Sequence, residues 1–321
     1  MDTYMTGSTS NGLGPTPPPL TPIVTRPRLE GYTENGRFYG GYRRGRYLFR
    51  YDENEKDRLD IFHKFFLVAR KDTLHNAPIH NQANPRILDL GCGTGIWAID
   101  IKFPGGQVFG VDLEFIQPEF IPANLHFDQM DIEEPWKDLG LGSWDMIHMR
   151  AMRGALSHNK WPTVYAEIYR HLRPYYGVLE QVEIDYTPRS HDGSLPPNSF
   201  VGQWASELYG AMDRLDRPMR VDSDQIKRMM NDSGLVEIKE EIIKIAYNGW
   251  PSDNQDKETG RWFNLELNQG IHALTIAPLY RGYNKQQEEV NLLINNVKDE
   301  IRSRNLHAYC TMHIFTARRP Q

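Results

Sequence analysis

Three glycines and an acidic residue follow one short apolar run of the sequence. Asp89 stands two positions before Gly91, and Gly93 and Gly95 complete the string LDLGCGTG. Glycine lets the backbone turn sharply and approach a ligand at van der Waals distance. Loops that bind dinucleotides or phosphates also use glycines, so the glycines alone do not identify the ligand.

The carboxylate of Asp89 favours a cationic ligand over a phosphorylated one. A dinucleotide loop presents a helix N-terminus to a pyrophosphate, which a neighbouring carboxylate repels. S-adenosylmethionine has no phosphate and carries an ammonium and a sulfonium, so it suits this position. Taken alone, Asp89 also fits a second interpretation, as a cap of the following helix.

Further acidic residues follow the next two apolar runs. Asp112 ends the second run, where a carboxylate can accept hydrogen bonds from both ribose hydroxyls of a nucleoside. After the third run we expect Met130 to cover an adenine ring and Asp131 to accept from its amino group. Separately, Asp112 also fits the start of a turn and Asp131 an ordinary loop. Together these residues predict a site for S-adenosylmethionine at Asp89, Gly91, Gly93, Gly95, Asp112, Leu113, Met130 and Asp131.

The sequence gives less information about the site of the methyl acceptor than about that of the cofactor. Methyl transfer displaces a group at an already activated sulfonium, so positioning and exclusion of water are the main requirements and no protein nucleophile is needed. A hydroxyl or protonated amine would also need a base. The candidates are His148 first and Glu183 second, followed by Glu180 and Asp185; each also fits a buried side chain with a satisfied partner.

Two aromatic regions have open roles. Arg37–Arg50 combines tyrosines with arginines, which fits a lid over the cofactor, an electropositive surface or a solvated, tyrosine-packed segment. Later in the chain, Trp262, Phe263 and Tyr280 fit either an acceptor pocket or plain core.

The apolar runs that carry these residues alternate with helical patterns. Strands are predicted at 86–90, 107–113, 124–130, 144–149 and 177–184, and a helix at 161–172. This alternation predicts an α/β fold with a doubly wound, mostly parallel sheet. Beyond it we expect helices at 200–215 and 223–232, a strand at 236–247, a mostly helical insertion at 257–303 and a final strand at 307–317.

The N-terminal part differs in composition. Residues 1–30 are rich in Ser, Thr, Gly and Pro with few large apolar side chains, which predicts a disordered tail. Apolar and aromatic side chains around Phe62 then recur at helical spacing. We expect one domain at 31–321, formed by an N-terminal lid and helix (31–80), a cofactor-binding core (86–185) and acceptor-side helices with the final strands (186–321).

Composition and charge exclude several classes of protein. Hydrophobic residues make up 39% and charged residues 25%, and the net charge of −5 gives no strong attraction to nucleic acid or anionic lipid. We see no signal peptide and no apolar run long enough to span a membrane, so we expect an intracellular protein. The cysteines Cys92 and Cys310 predict neither a disulfide framework nor a metal site. His307 and His313, which flank Cys310, fit a strand better than a ligand set.

The sequence resembles class I S-adenosylmethionine-dependent methyltransferases and, within them, the fungal LaeA-type regulators of secondary metabolism and development. The resemblance runs from about Glu34 to Pro320. It is carried by ENGRFYGGYRRGRY, DENEKDRLDIFHKFF, RILDLGCGTGIWAIDI, GVDLEFIQP, SWDMIHMR, HLRPYYGVLEQVEIDYTPR, RWFNLELNQGIHALTIAPLYR and HAYCTMHIFTARRP. It implies a seven-stranded sheet with an antiparallel last strand, and cofactor roles for the glycines and acids named above. It also implies a nuclear protein that works with velvet-family partners to control gene clusters.

The chain departs from the family at two places, Arg173–Gly177 before the fifth strand and His148–Arg153 after the fourth, where the family faces its acceptor. Relatives also include enzymes that methylate small molecules. We therefore expect a nuclear or nucleo-cytoplasmic regulatory methyltransferase acting on a protein or small molecule. An O- or N-methyltransferase that tailors a secondary metabolite is the alternative, and a cofactor-binding scaffold is a third hypothesis.

Overall fold

A computed structural model describes residues 20–22, 31–34, 37–43, 48, 53–81, 83–101, 103 and 105–321. Its strands are β1 (Leu20–Pro22), β2 (Tyr32–Glu34), β3 (Arg37–Tyr39), β4 (Arg86–Leu90), β5 (Gln107–Asp112), β6 (Phe120–Pro122), β7 (Leu125–Gln129), β8 (Met146–Arg150), β9 (Val178–Arg189), β10 (Val236–Ala246) and β11 (Tyr309–Arg318). Its α-helices are α1 (Glu53–Ala69), α2 (Ile96–Asp100), α3 (Trp161–His171), α4 (Phe200–Arg214), α5 (Ser223–Asp232), α6 (Asn254–Tyr283) and α7 (Gln287–Arg302).

Seven of the strands form a central sheet in the order β10-β11-β9-β8-β4-β5-β7. The pairs from β9 to β7 are parallel, whereas β11 lies antiparallel between β9 and β10. Nearly every residue of β4 and β8 and the first nine residues of β9 are buried, as expected for strands covered on both faces. The predicted fold, a doubly wound and mostly parallel seven-stranded sheet with an antiparallel last strand, is confirmed.

The fifth predicted strand is longer than expected. We predicted an end at residue 184, but β9 continues to Arg189 because the antiparallel neighbour β11 keeps pairing with it. Asp185 is tolerated in the strand because Tyr209 and Arg189 donate hydrogen bonds to it. Pro188 lies where the pairing register shifts, a position at which a strand accepts a residue without an N–H group.

The helical insertion before the last strand consists of α6 and α7. The α6 helix begins at Asn254, three residues before the predicted start, because Asp253 caps it by accepting a hydrogen bond from the backbone N–H of Asp256. It ends at Tyr283, and the C-cap residue Asn284 adopts the left-handed conformation. The helices α1, α4, α6 and α7 pack together and against the sheet around one apolar cluster that contains Phe65, Trp204 and Phe263.

The N-terminal segment is only partly described. Leu20–Pro22, which lies within the predicted disordered tail, pairs antiparallel with β6. The other residues of the predicted tail up to position 30 lie outside the described residues. The strands β2 and β3 form a hairpin, and α1 follows with Phe62 and Phe66 buried. Short pairings of this kind leave no periodic signal in the sequence.

Two further findings concern the described part of the chain. No helix in it combines the length and the apolar character needed to cross a membrane. It also contains no group of three or more His, Cys, Asp or Glu side chains that could hold a metal ion. Cys92 and Cys310 are both buried thiols.

Candidate cofactor and acceptor site

A cavity of about 160 Å³ lies at the carboxyl ends of the parallel strands. Parallel α/β sheets bind their ligands at this edge, where the strand order reverses. The cavity brings together nearly all the predicted site residues. Its wall includes Asp89, Gly91, Gly93, Asp112, Leu113, Met130, Asp131, His148 and Glu183, whereas Gly95 is not part of the wall.

The three glycines have different structural roles. Gly91, Gly93 and Gly95 all have positive φ angles, of 68°, 56° and 76°. A Cβ atom on Gly95 would lie 2.3 Å from Cζ of Phe127, so this glycine is required for packing. A Cβ atom on Gly93 would meet only Leu59, at 3.5 Å. Gly93 therefore leaves room at the cavity, while Gly95 allows the loop to close onto the sheet.

Asp89 and His148 form a buried pair. The two residues are register partners on β4 and β8, and Nδ1 of His148 lies 2.8 Å from Oδ1 of Asp89. Burial lowers the pKa of His148 well below its usual value, so the ring is neutral and its Nδ1–H donates to the carboxylate. Burial also raises the pKa of Asp89 to about 7.

This arrangement gives His148 an orienting role. Its ring stacks on the indole of Trp97, with centroids 3.6 Å apart and planes 5° apart, and its Nε2 is buried without a hydrogen-bond partner in the described residues. The Asp89 side chain does not cap α2, since Gly95 occupies that N-cap without a side-chain hydrogen bond. The geometry favours His148 as the residue that fixes Asp89, and its role as a base stays a prediction.

Asp112 connects the glycine loop to the end of β5. Its Oδ2 accepts from the backbone N–H of Gly93 at 2.8 Å, and its Oδ1 accepts from that of Glu114 at 3.2 Å. Burial raises the pKa of Asp112 to about 6. Each carboxylate oxygen retains a second lone pair, so both can still accept a ribose hydroxyl. The turn and the ligand-binding interpretations of Asp112 are therefore compatible.

Met130 and Asp131 follow β7, beside Asp112. The N–H of Met130 donates to the carbonyl of Asp112 at 2.8 Å, which fixes the two strand ends together. Oδ1 of the buried Asp131 accepts from the backbone N–H of Glu133 at 3.0 Å. Both side chains line the cavity at the place predicted for the adenine ring.

Part of the predicted lid lies against these strand ends. The N–H of Tyr42 donates to Oε1 of Glu114 at 3.2 Å, and Nε of Arg43 lies 3.4 Å from Oδ2 of Asp131. These contacts favour a lid over the alternative of a solvated segment. Residues 44–47 and 49–50 of the predicted lid lie outside the described residues.

Glu183 is the buried carboxylate on the acceptor side of the cavity. It accepts hydrogen bonds from the backbone N–H groups of Met152 and Arg153, at 3.3 and 3.1 Å, and from the side chain of Gln181 at 2.9 Å. Burial raises its pKa to about 7. Glu183 thus supports the loop after β8. Its raised pKa also lies close to neutral pH, as is suitable for a general base.

The remaining base candidates are structural. Glu180 forms a buried ion pair with Arg70 at 2.7 Å, and Asp185 is held by the hydrogen bonds that keep it within β9. Neither lines the cavity. Phe263 is core, and Trp262 and Tyr280 also lie outside the cavity wall, so the alternative of an acceptor pocket formed by these aromatics is not supported.

Comparison with known proteins identifies the family. The model of a methyltransferase domain matches residues 61–240, which is more than half of the chain. This chain belongs to the methyltransferase-domain family. The methyltransferase is 46% identical over 296 residues to the secondary metabolism regulator LAE1 of Cochliobolus heterostrophus, covering 90% of this chain and 95% of the relative. It is 40% identical over 295 residues to the secondary metabolism regulator laeA of Fusarium oxysporum f. sp. lycopersici, covering 91% and 93%.

Solved structures with similar folds are more distant. A phosphoethanolamine N-methyltransferase 2 of Haemonchus contortus in complex with S-adenosyl-L-methionine has a TM-score of 0.46 and 16% identity. The match covers 83% of the methyltransferase and spans about half, 52%, of that chain. A geranyl diphosphate C-methyltransferase of Streptomyces coelicolor A3(2) has a TM-score of 0.44 and 15% identity, covering 82% and 80%. The family assignment depends on the sequence matches.

The predicted enzyme class and cofactor are confirmed: the chain is a methyltransferase and its cofactor is S-adenosylmethionine. The cavity fits this cofactor, because Asp89 offers a carboxylate, Asp112 has free lone pairs and Gly93 leaves space. When bound, S-adenosylmethionine supplies a methyl group on a sulfonium. The protein would hold its nucleoside end at Asp112 and Met130 and its amino-acid end at Asp89.

Several wall residues of the methyltransferase were missing from the sequence prediction. The cavity is also lined by Leu59 and Phe62 on α1, Arg150 at the end of β8, Met152 after β8, and Leu274 on α6. Arg150 was predictable, because it ends a parallel strand just as Asp112 does. The apolar residues carry no such signal, since their spacing also fits the core.

Proposed function

We propose that this methyltransferase is a regulator of fungal secondary metabolism that acts in the nucleus together with velvet-family proteins. The supporting observation is the breadth of its similarity to the secondary metabolism regulators. That similarity covers about 296 residues, whereas the methyltransferase-domain model matches only 61–240. The N-terminal segment and the helices α6 and α7, which lie outside the domain model, therefore also resemble those regulators.

The site supports a catalytic regulator over a scaffold. A cofactor-binding scaffold would need Asp89 but has no use for a base on the acceptor side, where Glu183 lies. Asp89 and Glu183 are both almost fully buried, and burial raises the pKa of each carboxyl to about 7. The acceptor of this regulator is a protein or a small molecule.

A complementation experiment tests the regulatory role. The chain would be expressed in a Cochliobolus heterostrophus strain that lacks its LAE1 regulator, and secondary metabolites would be profiled by mass spectrometry. We expect wild type to restore the profile and Gly93→Arg to fail, because the arginine side chain enters the cavity. The exposed Arg261→Ala on α6 is the matched control and should restore it. Failure of well-expressed wild type would contradict the proposal.

Location and partners need a separate test. A fluorescent fusion of the full chain should accumulate in nuclei, and velvet-family proteins should co-purify with it from the same cells. Exclusion from nuclei would contradict the nuclear role. Absence of velvet-family proteins from the purified material would contradict the partnership but leave the methyltransferase activity in place.

One observation favours a second function, the tailoring of a small molecule. The acceptor side of the cavity is lined by the apolar side chains of Phe62, Met152, Met219 and Leu274, each less than a tenth exposed. Such an enclosed, apolar wall is typical of a small-molecule pocket. The complementation profile separates the two functions. A tailoring enzyme would change one family of methylated metabolites, and a regulator would change many unrelated ones.

A further inference from the structure

The cavity wall contains four arginines, and three of them are held by acceptors of the protein. Arg58 and Arg217 form ion pairs with buried glutamates, and Arg153 donates twice to a backbone carbonyl. Arg150 forms no ion pair with any residue that the structure describes. Among these four arginines, Arg150 is therefore the one whose positive charge can form an ion pair with a ligand.

The contacts of Arg150 fix its position without neutralising it. Its Nη1 donates to Nδ1 of His63 at 3.1 Å, and Nε2 of His63 lies 2.9 Å from Oδ2 of Asp100. Burial and the charge of Arg150 lower the pKa of His63 to about 4, so the ring is neutral and its Nε2–H donates to Asp100. The guanidinium also lies over Phe66, 4.6 Å from the ring centroid. Within the described chain, Nε and Nη2 of Arg150 have no acceptor.

The charge of Arg150 has an energetic cost in the free protein. Burial lowers its pKa to about 10, which means that its surroundings disfavour the charged form. A guanidinium that lacks a counter-ion in such a place is destabilising until a ligand supplies one. Because guanidinium and carboxylate groups pair through two parallel hydrogen bonds, a carboxylate matches the free N–H groups.

Arg150 lies beside the acid predicted to face the ammonium of the cofactor. His148 pairs in register with Asp89, and Arg150 stands two residues later on β8, so its side chain lies on the same face of the sheet and nearer the cavity. The attraction of Arg150 for Asp89 acts between groups that are not in contact. Opposite charges therefore lie near each other in the wall of the cavity.

We propose that Arg150 binds the α-carboxylate of S-adenosylmethionine while Asp89 faces the α-ammonium. The inference rests on the cofactor site described above and adds to it a residue that selects a zwitterionic ligand. The pair would reject nucleoside thioethers that lack the amino-acid group. It would also discriminate against the decarboxylated cofactor, which keeps the ammonium but cannot use Arg150.

Calorimetric titration of the full chain with three ligands tests the proposal. They are S-adenosylhomocysteine, its decarboxylated analogue S-adenosyl-3-thiopropylamine, and 5′-methylthioadenosine. A charge-assisted pair corresponds to about a 10- to 100-fold change in affinity, so wild type should prefer S-adenosylhomocysteine over the analogue by that factor. Arg150→Met keeps an apolar stem over Phe66 and should abolish the preference, by weakening S-adenosylhomocysteine alone.

Control variants make the result specific. Asp89→Asn should weaken both amine-containing ligands and leave 5′-methylthioadenosine unchanged, and Arg261→Met on the exposed face of α6 should change nothing. If Arg150→Met does not fold, Arg150→Lys keeps the charge and should retain part of the preference.

The outcomes that overturn the proposal are distinct. Equal weakening of all three ligands by Arg150→Met would make Arg150 a general support of the cavity, and unchanged binding would exclude contact with the cofactor. If folded wild type binds none of the three ligands, the cofactor site is wrong as well. Equal binding of S-adenosylhomocysteine and its decarboxylated analogue by wild type, with weaker binding of 5′-methylthioadenosine, overturns only the role of Arg150. Equal binding of all three ligands overturns the roles of both Arg150 and Asp89.

Discussion

Asp89 illustrates how one buried residue connects ligand binding with stability. It accepts a hydrogen bond from the neutral His148, but burial still raises its pKa to about 7. Near neutral pH the free protein is therefore a mixture of molecules with an ionised and a protonated Asp89. The proposed contact with the ligand ammonium requires the ionised form, so we expect binding to be coupled to proton release.

This coupling predicts that cofactor binding depends on pH. Affinity for S-adenosylhomocysteine should fall about tenfold for each unit of pH below the pKa of Asp89 and should level off above it, since only the ionised fraction binds. Titration calorimetry between about pH 5.5 and 8.5 would measure the dependence. Asp89→Asn should bind weakly with a much flatter profile. An equally steep profile in this variant would assign the titration to another group, such as Asp112.

The raised pKa of Asp89 also predicts that the stability of the ligand-free protein falls as the pH rises, whereas its affinity for the ligand increases. A carboxyl whose pKa is raised on folding lowers stability as pH rises from its unfolded to its folded pKa, from about 4 to about 7. Asp89→Asn should therefore stabilise the ligand-free chain at pH 8, on the order of 1–4 kcal/mol, and have little effect at pH 4. Urea unfolding at both pH values is the measurement. A less stable variant at pH 8 would show that the carboxylate is needed for folding.

The surroundings of Gly93 and Gly95 predict that the same substitution to alanine destabilises the fold to different extents at the two positions. Gly95→Ala should destabilise the fold by about 2–4 kcal/mol, because a positive φ angle is combined with a clash against the Phe127 ring. Gly93→Ala should cost only about 1–2 kcal/mol, since its φ is strained but its Cβ has room. Thermal and urea unfolding would compare the two. Similar losses would contradict the separate roles assigned to these glycines.

At the scale of elements, α1 is held against α6 by a buried cluster of charges. Arg58 on α1 donates to Glu55 at 2.7 Å and to Glu266 on α6 at 2.8 Å. Glu266 is fully buried, and its second oxygen has no hydrogen-bond partner among the described residues. Since Glu55 and Arg58 also line the cavity, this cluster sets the position of α1 relative to the cofactor and acceptor.

Removing the arginine of this cluster should be strongly destabilising. Arg58→Met leaves the fully buried Glu266 without its counter-ion, which typically costs about 3–5 kcal/mol. Adding Glu266→Gln should recover part of the loss, because that unpaired charge is then removed. Chemical denaturation of the single and double variants would give both values. If the double variant is no more stable than the single one, Glu266 is not the source of the penalty.

The sequence predicted the regular elements better than the irregular ones. The strand at 86–90 was predicted with its observed ends, because an apolar run is bounded by a proline and a glycine. Such a signal is absent for β1, whose three-residue pairing with β6 depends on a partner far away in the sequence, and for the short hairpin strands β2 and β3. The cluster around Arg58 was also not foreseen, because Glu266 is 208 positions away and ion pairs at that distance leave no local pattern.

At the scale of the whole molecule, the described N-terminal segment reaches the strand ends that are predicted to hold the nucleoside. Tyr42 and Arg43 contact the residues that follow β5 and β7. The sequence left three interpretations of this segment open, and only the folded chain shows where it lies. Since Arg43 is exposed, its ion pair with Asp131 contributes little to stability, as is usual for surface pairs.

Arg43 should therefore affect the rate of cofactor release more than the stability of the fold. Arg43→Ala removes the contact of the lid with Asp131 and should speed the dissociation of S-adenosylhomocysteine several-fold, with an unchanged unfolding midpoint. Stopped-flow displacement of the bound ligand would measure the rate, and higher salt should bring wild type closer to the variant. Arg302→Ala, which removes another exposed ion pair, on α7, is the matched control and should leave the rate unchanged. If Arg43→Ala releases the ligand at the wild-type rate, the segment covers the site without retaining the cofactor, and α1 must supply the barrier to its escape.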